Sequence, residues 1–521
     1  MVHARLLTLA AVSLLSLPLM AQEKAPGDKP EEKKEEKSKD EKAKDEKPKE
    51  EKPKVTTGKV TLGGKLVHYE AQAGTIPVLK DDGTPRANIF YVYYAAVDTD
   101  GKRLAGKDAA ARPITFCFNG GPGASAVWLH LGGLGPRRVD LSPEGLTPST
   151  VARVVDNANA ILDVTDLVFV DPVGTGVSRP AKGENPEQFF GPKEDIEAVG
   201  EFVRLFTTRE QRWASPKYLL GESYGVMRVG GLVDYMQNKH RMFFEGVALM
   251  SGILSFQTLG AAIGNDLPHA LFLPGLTATA HYHKKLPADL QNMELEKAVA
   301  ESRAFAQGEY ATALLKGAAL TAAERARIAS QLARFTGLTA EQADEQNLRI
   351  DPSFFREMLL RKEGKILGRF DARVLGEDGD RASQQPEFDP SFSNIVGGFA
   401  SAVNAYVRGE LGYESDHPYH LLASLPWRSQ KYEGRYVSTE AELNSAMVNN
   451  PRLRVLVLAA SRDLACPEDA VQFSLAHFTL PKSVRENITT QRYESGHMMY
   501  LFRSDAEKLR RDLLEFIKPA K

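Results

Sequence analysis

The chain after about residue 55 carries two kinds of strand pattern. Residues 59–62, 65–70 and 88–97 alternate polar and apolar positions or are rich in Tyr and Val, which is typical of antiparallel strands. Short apolar runs of the kind found in buried parallel strands follow at 114–118, 167–170, 218–220, 247–250 and 455–459. Helical patterns separate several of these runs, as at 195–207 and 226–236. The alternation predicts a mixed, mostly parallel α/β sheet that is flanked by helices and joined by right-handed crossovers.

The pattern changes between residue 255 and about residue 436. There the strand signal disappears and Ala, Leu, Glu and Arg dominate, as in 321–335 and 341–347. We interpret this stretch as a mostly helical insertion and not as an independent domain, because no linker-like composition bounds it. Its place between the strands near 250 and 456 predicts a cap above the carboxyl edge of the sheet, where it would shape a pocket.

The N-terminal segments differ from the rest of the chain. In residues 1–21 one basic residue, Arg5, precedes an apolar run, and the small Ala21 follows. This pattern predicts a signal peptide; an uncleaved membrane anchor is the alternative, but the run is shorter than the ~20 residues of a spanning helix. Residues 22–54 are almost entirely Glu, Lys, Asp and Pro, so we interpret them as a disordered tether, either a passive spacer or an interaction segment. We expect an exported protein, periplasmic or secreted, with one folded domain over 55–521.

Composition is that of a soluble, folded protein. Of the 521 residues, 42% are hydrophobic and 26% are charged, which allows a large core. The formal net charge of −2 provides no basic field for phosphates, so we do not expect nucleic acid as a partner. We also expect no membrane span once the signal peptide is removed, because no later run is long and apolar enough. The length allows several domains, but we expect one catalytic domain with a cap.

A candidate nucleophile lies where an apolar strand meets a helical pattern. The run at 218–220 leads into Gly221-Glu222-Ser223-Tyr224-Gly225, a G-x-S-x-G sequence followed by a helix signal. In the α/β-hydrolase fold this sequence forms a tight turn, whose glycines make room between strand and helix while the serine is lifted into the pocket. A merely structural turn is the alternative, since G-x-S-x-G also occurs by chance. The placement favours Ser223 as the nucleophile of an α/β-hydrolase.

An earlier strand ends in a glycine-rich loop. The run at 114–118 is followed by Asn119-Gly120-Gly121-Pro122-Gly123, whose backbone N–H groups can point inward. In this fold the oxyanion is held by the N–H after the nucleophile and by one from this loop, so we predict Tyr224 and Gly121 as the donors. A simple Gly/Pro turn is the alternative. A phosphate loop is disfavoured because the G-K-[ST] ending is absent.

An acid and a base follow the serine in the order that this fold requires. Asp463 leaves the carboxyl end of the strand at 455–459, where it can accept the Nδ1 proton of a histidine. His497 follows the last strand-like segment, 489–493, where it can act as the general base. Each residue alone is a weak signal, but their order predicts that both complete the catalytic triad.

The cysteines and the remaining histidines add little chemistry. Cys117 lies next to the glycine-rich loop and Cys466 lies next to Asp463. An exported protein permits a disulfide, but a bridge and two buried thiols agree equally well with the sequence. His281 and His283 form an H-x-H pair without a further ligand pattern, so we interpret them as part of a solvated loop. We expect no metal and no cofactor.

Taken together, the motifs resemble the serine carboxypeptidase family over most of the chain after residue 55, outside the insertion. The motifs that carry the resemblance are Asn119-Gly-Gly-Pro-Gly123, Asp171-Pro-Val-Gly174 through Ser178, Gly221-Glu-Ser-Tyr224 and Gly496-His-Met498. The resemblance implies an enzyme that removes single residues from the carboxyl ends of peptides, with Ser223, Asp463 and His497 at the catalytic positions. It also implies that Asn119 and Glu222 bind the terminal carboxylate of the substrate.

The sequence also departs from the family pattern. Cys117 stands where the family usually has a Trp, and Ala124 replaces the Cys that commonly follows Gly-Gly-Pro-Gly, which removes one familiar disulfide. Met499 and Tyr500 replace the usual ending of the histidine motif, whereas Cys466 matches a family cysteine. The departure at Cys117 concerns the implied carboxylate site, and the one at Met499 and Tyr500 concerns the preference for the leaving group.

The carboxylate role sets a condition on Glu222. An ionised Glu222 would repel a carboxylate, so it must be protonated to donate a hydrogen bond, which predicts the best peptidase activity in acid; purely structural burial is the alternative. The leading hypothesis is an exported serine carboxypeptidase that acts on peptides through an acyl-enzyme. An esterase or acyltransferase with the same triad is the second hypothesis, and a non-catalytic binding protein is the third.

Overall fold

A computed structural model describes residues 51–147, 151–428 and 434–518. The predicted signal peptide and residues 22–50 of the predicted tether lie outside the described residues. Residues 51–54 of that segment are described, and the first strand begins at Lys54, beside the predicted start of the folded chain.

One large sheet runs through the described chain. Its strands, together with those of two small sheets, are β1 Lys54–Leu62, β2 Lys65–Leu79, β3 Pro85–Ala96, β4 Ile114–Phe118, β5 Arg137–Val139, β6 Val154–Asp156, β7 Asp166–Val170, β8 Arg179–Pro180, β9 Lys217–Glu222, β10 Gly246–Met250, β11 Lys365–Leu367, β12 Leu375–Glu377, β13 Arg454–Ala460 and β14 Ile488–Tyr493. The order across the large sheet is β1-β2-β3-β7-β4-β9-β10-β13-β14, and β8 pairs with β3. The small sheets pair β5 with β6 and β11 with β12.

The large sheet is antiparallel at one end and parallel over the rest. Strands β1, β2 and β3 pair antiparallel, as do β3 and β7, whereas β7, β4, β9, β10, β13 and β14 pair parallel. The strands β4, β7, β9 and β10 are buried along their whole length, because helices cover both faces, and their sequences are therefore almost continuously apolar. The mixed, mostly parallel sheet predicted from the sequence is confirmed.

Helices connect the strands. They are α1 Gly106–Ala111, α2 Val127–Leu129, α3 Pro192–Arg209, α4 Tyr224–Tyr235, α5 Leu267–Tyr282, α6 Ala288–Gln291, α7 Leu295–Phe305, α8 Ala311–Lys316, α9 Ala322–Thr336, α10 Ala340–Glu345, α11 Pro352–Met358, α12 Pro390–Ala405, α13 Glu440–Asn449, α14 Glu468–Ala476, α15 Lys482–Arg485 and α16 Arg503–Ile517. Short 3₁₀ or π turns lie at His130–Leu134, Pro186–Phe189, Met236–His240, Phe256–Thr258, Ala306–Tyr310, Gly317–Ala319, Arg361–Glu363, Tyr406–Glu410 and Met499–Leu501. Over the described ranges, no helix has the length and apolarity that crossing a bilayer requires.

Alternate side chains of the strands fill two cores, one on each face of the sheet. In β13, Val455 and Val457 pack into the core that α3 and α4 cover, whereas Leu456 and Leu458 pack into the core that α12 and α16 cover. This division follows from the two-residue period of a strand. Since both faces are filled, the place for polar groups and ligands is the edge where the parallel strands end.

The chain between β10 and β13 contains the predicted insertion. Helices α5 to α11 pack around a core of their own, to which Leu464 after β13 also contributes, and the strands β11 and β12 add a hairpin that the sequence did not indicate. The described residues of 411–438 form no helix. They run along the glycine-rich loop, where Ala423 donates its backbone N–H to Gly123 at 2.8 Å. The insertion therefore contacts the edge of the sheet directly.

Candidate active site

Ser223 lies in a strained turn between β9 and α4. Its backbone has φ 62° and ψ −129°, a conformation that residues other than Gly rarely adopt and that tertiary packing must maintain. A Cβ atom on Gly221 would lie 2.1 Å from the Gly225 carbonyl oxygen, and one on Gly225 would lie 2.6 Å from that of Phe118. Strand and helix approach so closely here that a side chain fits at neither position, which explains the two glycines of the G-x-S-x-G sequence.

The glycine-rich loop packs against this turn. Strands β4 and β9 are parallel neighbours, so their carboxyl ends meet at one edge of the sheet. A Cβ atom on Gly120 would lie 2.4 Å from the Tyr224 backbone nitrogen and 2.8 Å from Ser223 Cβ. Gly121 has φ +99°, a left-handed conformation suited to glycine. Of the two predicted oxyanion donors, Tyr224 directly follows the candidate nucleophile, and Gly121 lines the same cavity as Ser223.

Asp463 and His497 follow β13 and β14 and meet behind Ser223. His497 Nδ1 lies 2.7 Å from Asp463 Oδ2, and both side chains are buried. Asp463 Oδ1 accepts the backbone N–H groups of Ala465 at 2.8 Å and Cys466 at 2.9 Å, which fixes the carboxylate. Burial lowers the pKa of His497, but the charge and hydrogen bond of Asp463 outweigh it, so this pKa lies above its ordinary value. The arrangement suits an imidazole that receives a proton.

The candidate residues surround one pocket of about 440 Å³, which we call the active-site pocket. Its lining includes Asn119, Gly121, Glu222, Ser223 and His497, all from the sheet edge. The insertion contributes most of the opposite wall, which consists of Arg369, Phe370, Phe392, Leu422, Ala423 and Ser424. The pocket therefore has one wall that carries the candidate chemistry and another from the predicted cap, whose individual residues the sequence did not identify.

Glu222 is buried beneath this pocket in a hydrogen-bonded cluster. Asn119 Nδ2 donates to Glu222 Oε2 at 3.0 Å, and Asn119 Oδ1 accepts the backbone N–H of Leu129 at 3.0 Å. Tyr500 Oη lies 2.9 Å from Glu222 Oε2 and 3.2 Å from Oε1. Sequence reasoning missed this role of Tyr500, and the only signal was its departure from the family pattern three residues after His497.

Two glycines make room for the Tyr500 ring. A Cβ atom on Gly132 would lie 2.5 Å from Tyr500 Cε2, and one on Gly133 would lie 2.8 Å from Tyr500 Cβ. Burial raises the pKa of Glu222 to about 7, although the charge of His497 and the hydrogen bonds from Tyr500 and Asn119 oppose the shift. Glu222 is therefore a carboxyl group that can hold its proton in weak acid.

The two cysteines are buried free thiols, so of the two alternatives left open by the sequence the disulfide is not formed. Cys117 belongs to β4 and packs in the core of the sheet, whereas Cys466 lies beside Tyr224 in a separate apolar cluster. Burial raises the pKa of both thiols. The Cys466 thiol is hydrogen-bonded to the Ser223 hydroxyl.

The insertion also touches His497. The backbone N–H of His497 donates to the Phe370 carbonyl at 2.6 Å, and the two rings stack with centroids 5.0 Å apart at 20°. A Cβ atom on Gly496 would lie 2.1 Å from the Phe370 carbonyl oxygen, so this approach needs glycine before the histidine. Residues 369–370 form no regular element, and the sequence pattern therefore offered no signal for the contact.

Asp171 supports the glycine-rich loop from below. Its Oδ1 accepts the backbone N–H of Ala126 at 2.8 Å, and Ser178 Oγ donates to the Asp171 carbonyl at 2.6 Å. Burial raises the pKa of Asp171 to about 7. This motif therefore holds the chain that follows the glycine-rich loop in place.

The H-x-H pair lies at the end of α5 and not in a solvated loop. His281 Nε2 is 3.1 Å from the Met293 carbonyl oxygen, and His283 Nε2 is 2.7 Å from that of Ala372. Over the described residues no group of three or more His, Cys, Asp or Glu side chains is arranged to hold a metal ion.

Comparison with known proteins gives a family match. A family model described as serine carboxypeptidase matches residues 65–499. No curated protein sequence matches the chain significantly. Similar solved structures include VinJ, which is 13% identical over 86% of this chain and 99% of that one, with a TM-score of 0.36. Esterase E22 is 11% identical over 86% of this chain and 100% of that one, also with a TM-score of 0.36. A proline iminopeptidase from Mycobacterium smegmatis is 14% identical over 85% of this chain and 97% of that one, with a TM-score of 0.36.

Proposed function

Because the chain belongs to the serine carboxypeptidase family, we propose that it cleaves peptides at their carboxyl ends with Ser223, Asp463 and His497 as its catalytic triad. As a member of this family, the protein is a serine-type carboxypeptidase, which hydrolyses peptide bonds, and it has the α/β-hydrolase fold. We further propose the assignment of the triad residues, a route through an acyl-enzyme, an acidic pH optimum and export of the protein.

The contact between His497 and Asp463 supports a route through an acyl-enzyme. His497 takes the Ser223 proton, and Oγ attacks the carbonyl carbon of the last peptide bond while the N–H groups of Gly121 and Tyr224 stabilise the oxyanion. His497 then protonates the leaving amine, an acyl ester remains on Ser223, and water hydrolyses it by the same steps. Asp463 holds the imidazole, which the 2.7 Å contact to His497 Nδ1 supports.

The observation that carries the terminal specificity is the buried carboxyl group of Glu222 beside the nucleophile, with its pKa raised to about 7. When protonated, Glu222 can donate a hydrogen bond to a substrate carboxylate, with Asn119 as a second donor. When ionised, it repels the same carboxylate. Binding of free-acid substrates is therefore strongest below pH 7 and weakens as the pH rises through that value.

A lower pH limit comes from His497, which must be neutral to accept the Ser223 proton. The carboxylate of Glu222 also raises the pKa of His497, so the two groups titrate as a coupled pair. Protonation of Glu222 removes that charge and favours the neutral imidazole. The active form thus carries its proton on Glu222, which supports activity in weak acid.

Export rests on the N-terminal sequence. An apolar run after Arg5 and before Ala21 is typical of a cleaved signal peptide, and the charged segment that follows suits a solvated spacer at the start of the mature chain. The substrates of a periplasmic or secreted form would be peptides outside the cytoplasm.

The test compares a blocked dipeptide with a free carboxyl end, its amide and a simple ester between pH 4 and pH 8, with Ser223→Ala as the control. We expect a preference for the free acid that is greatest in acid and absent in the variant. Ester cleavage without this preference would favour an esterase or acyltransferase, because Cys117 replaces the Trp of the family beside the carboxylate site. Failure of Ser223 to react with a fluorophosphonate would contradict a serine hydrolase altogether.

A further inference from the structure

We infer that a second cavity, next to the active-site pocket, selects substrates with an acidic side chain and that Arg369 is the residue that binds it. The inference rests on the proposed function, since it concerns the peptide residue on the acyl side of the bond that Ser223 attacks. It assigns a preference that neither the triad nor the carboxylate site determines.

This second cavity, the side cavity, has a volume of about 220 Å³. Its polar lining consists of Arg369, Arg356, His269, Asp351 and Ser353, and its apolar lining includes Leu464. Arg369 also lines the active-site pocket, together with Ser223 and His497. Its side chain is therefore the boundary that the two cavities share.

The backbone of Arg369 is fixed, whereas its guanidinium is available. Its N–H donates to Asp389 Oδ1 at 2.9 Å, and its carbonyl accepts the Leu464 N–H at 3.1 Å. The exposed guanidinium lies 5.4 Å from the centre of the Phe370 ring. Within the described part of the chain, no Asp or Glu oxygen lies within 4.0 Å of it.

Neighbouring arginines of the insertion are paired, which makes Arg369 different. Arg349 contacts Asp266 at 2.6 Å, and Arg373 contacts Asp371 at 2.6 Å. Neither of these two arginines lines the active-site pocket or the side cavity. An arginine at the rim of this pocket that has no carboxylate partner in the protein can form an ion pair with a carboxylate of the substrate.

The rest of the side cavity adds positive potential. Arg356 is buried, donates to the Leu367 carbonyl at 2.9 Å and has its nearest carboxylate, Asp389, at 3.9 Å. Arg356 and Arg369 line the same cavity. Burial lowers the pKa of Arg356, the charge of Asp389 opposes this shift, and the charge of Arg369 adds to it. Asp351, whose Oδ1 accepts the Ser353 N–H at 2.7 Å as the cap of α11, opposes these two cations, so two arginines face one carboxylate in the lining of the side cavity.

The side cavity lies on the acyl side of the proposed scissile bond. Asn119 and Glu222 line the active-site pocket but not the side cavity. A peptide held there by its terminal carboxylate places its last residue beside them and its acyl part on the far side of Ser223. Ala465 lines the side cavity next to Cys466, whose thiol contacts the Ser223 hydroxyl. The residue before the scissile bond is therefore the one that reaches Arg369.

The experiment measures kcat/KM for blocked dipeptides that share one terminal residue and carry Glu, Gln or Lys before it. For the wild type we expect kcat/KM to be about fivefold higher for the Glu peptide than for the Gln peptide, since one solvent-exposed ion pair contributes an effect of this size. Arg369→Gln should bring this ratio to one, Arg369→Glu should favour Lys, and Arg369→Lys should restore part of the Glu preference. Lys362→Gln, an exposed cation of the same segment that lines neither cavity, should leave the ratio unchanged.

The outcomes separate this inference from the proposed function. Hydrolysis of all the peptides with equal Glu and Gln rates, or a Glu preference that survives in Arg369→Gln, overturns the role of Arg369 alone. A charge preference that follows the terminal residue and not the one before it overturns the assignment to the acyl side. No hydrolysis of any free-acid peptide by the wild type overturns the proposed function and this inference together.

Discussion

The sheet edge and the insertion meet across the active-site pocket, but they hold their residues by different means. At the sheet edge, Ser223, Asp463 and His497 each follow a parallel strand closely, so ladder hydrogen bonds fix the backbone beneath them. In the insertion, Arg369 and Phe370 belong to a segment without regular structure. That segment is placed by single loop contacts, such as the one from the His497 N–H to the Phe370 carbonyl at 2.6 Å.

This difference separates chemistry from selectivity. Proton transfer and nucleophilic attack require side chains held to within about 0.5 Å, and neighbouring strand ends provide that precision. Recognition of a substrate side chain needs only charge and shape at the right distance. We therefore expect substitutions at the sheet edge to affect turnover strongly, and substitutions in the insertion to affect mainly the choice of substrate.

The strongest test exchanges one serine on each wall of the pocket. Ser223→Ala should reduce kcat by roughly a million-fold, because the nucleophile and its acyl-enzyme are lost. Ser424→Ala, on the insertion side of the same pocket, should leave kcat close to that of the wild type. The measurement is hydrolysis of a blocked dipeptide under single-turnover conditions. Similar losses in both variants would abolish the distinction between the two walls.

A second comparison uses one acid from each region. Asp463→Asn should lower kcat by about ten-thousand-fold, because an amide stabilises the wrong imidazole tautomer and no longer balances its positive charge. Asp371→Asn, which removes the partner of Arg373 beside Phe370, should cost far less. The measurement is the steady-state kcat of both variants, with circular dichroism as a check on their folding. A kcat for Asp463→Asn near that of the wild type would refute the triad.

Glu222→Gln tests whether burial holds a proton at the sheet edge. Because the folded-state pKa is raised to about 7, the stabilisation by the bound proton is present below the ordinary pKa and is lost as the pH rises through 7. Gln cannot ionise, so the variant should gain stability over the wild type above pH 7 by up to about 3 kcal/mol. Urea unfolding at pH 5 and pH 8 measures this gain, and Glu377→Gln in the exposed hairpin of the insertion is the matched control. An equal difference at both pH values would contradict the raised pKa.

Tyr500→Phe removes the hydroxyl that donates to Glu222 while the ring stays between Gly132 and Gly133. Because this bond favours the ionised carboxylate, its loss increases the protonated fraction of Glu222 near pH 7, so KM for free-acid substrates at that pH should fall by up to about tenfold while ester substrates stay unaffected. Since this bond lowers the pKa of Glu222, its loss should move the basic limit of the kcat/KM profile to higher pH. A basic limit that stays in place would show that Tyr500 serves packing only, and Tyr282→Phe in the insertion is the control.

The smallest effect is expected on the insertion side of His497. Phe370→Ala removes the ring that stacks on His497 but keeps the backbone contact, so kcat should fall by about fivefold, the contribution of one aromatic pair. Phe388→Ala, an exposed aromatic residue of the insertion, should have no effect. A loss in Phe370→Ala as large as that in Asp463→Asn would mean that the insertion takes part in the chemistry.

Much of the fold could be predicted because buried parallel strands are recognisable in sequence. The apolar run at 114–118 is β4 without change, and the other runs lie within one or two residues of β7, β9, β10 and β13. The hairpin β11–β12 escaped detection, since each strand has three residues, too few to show a period. The free thiols could not be decided either, because Cys117 and Cys466 are adjacent to site residues in sequence but occupy separate apolar clusters.

The order of residues alone identifies the candidates that follow strands at the sheet edge: Ser223, Asp463 and His497 for the triad, with Gly121 and Tyr224 around them. The resemblance to the family adds Asn119 and Glu222. Short local patterns suffice there, because a strand, a tight turn and a glycine without a side chain are each properties of a few consecutive residues. Only the tertiary structure decided that Tyr500 donates to Glu222 and that Phe370 and Arg369 line the pocket from the insertion. Those contacts join residues more than a hundred positions apart through irregular segments, and their geometry depends on how the insertion packs against the sheet.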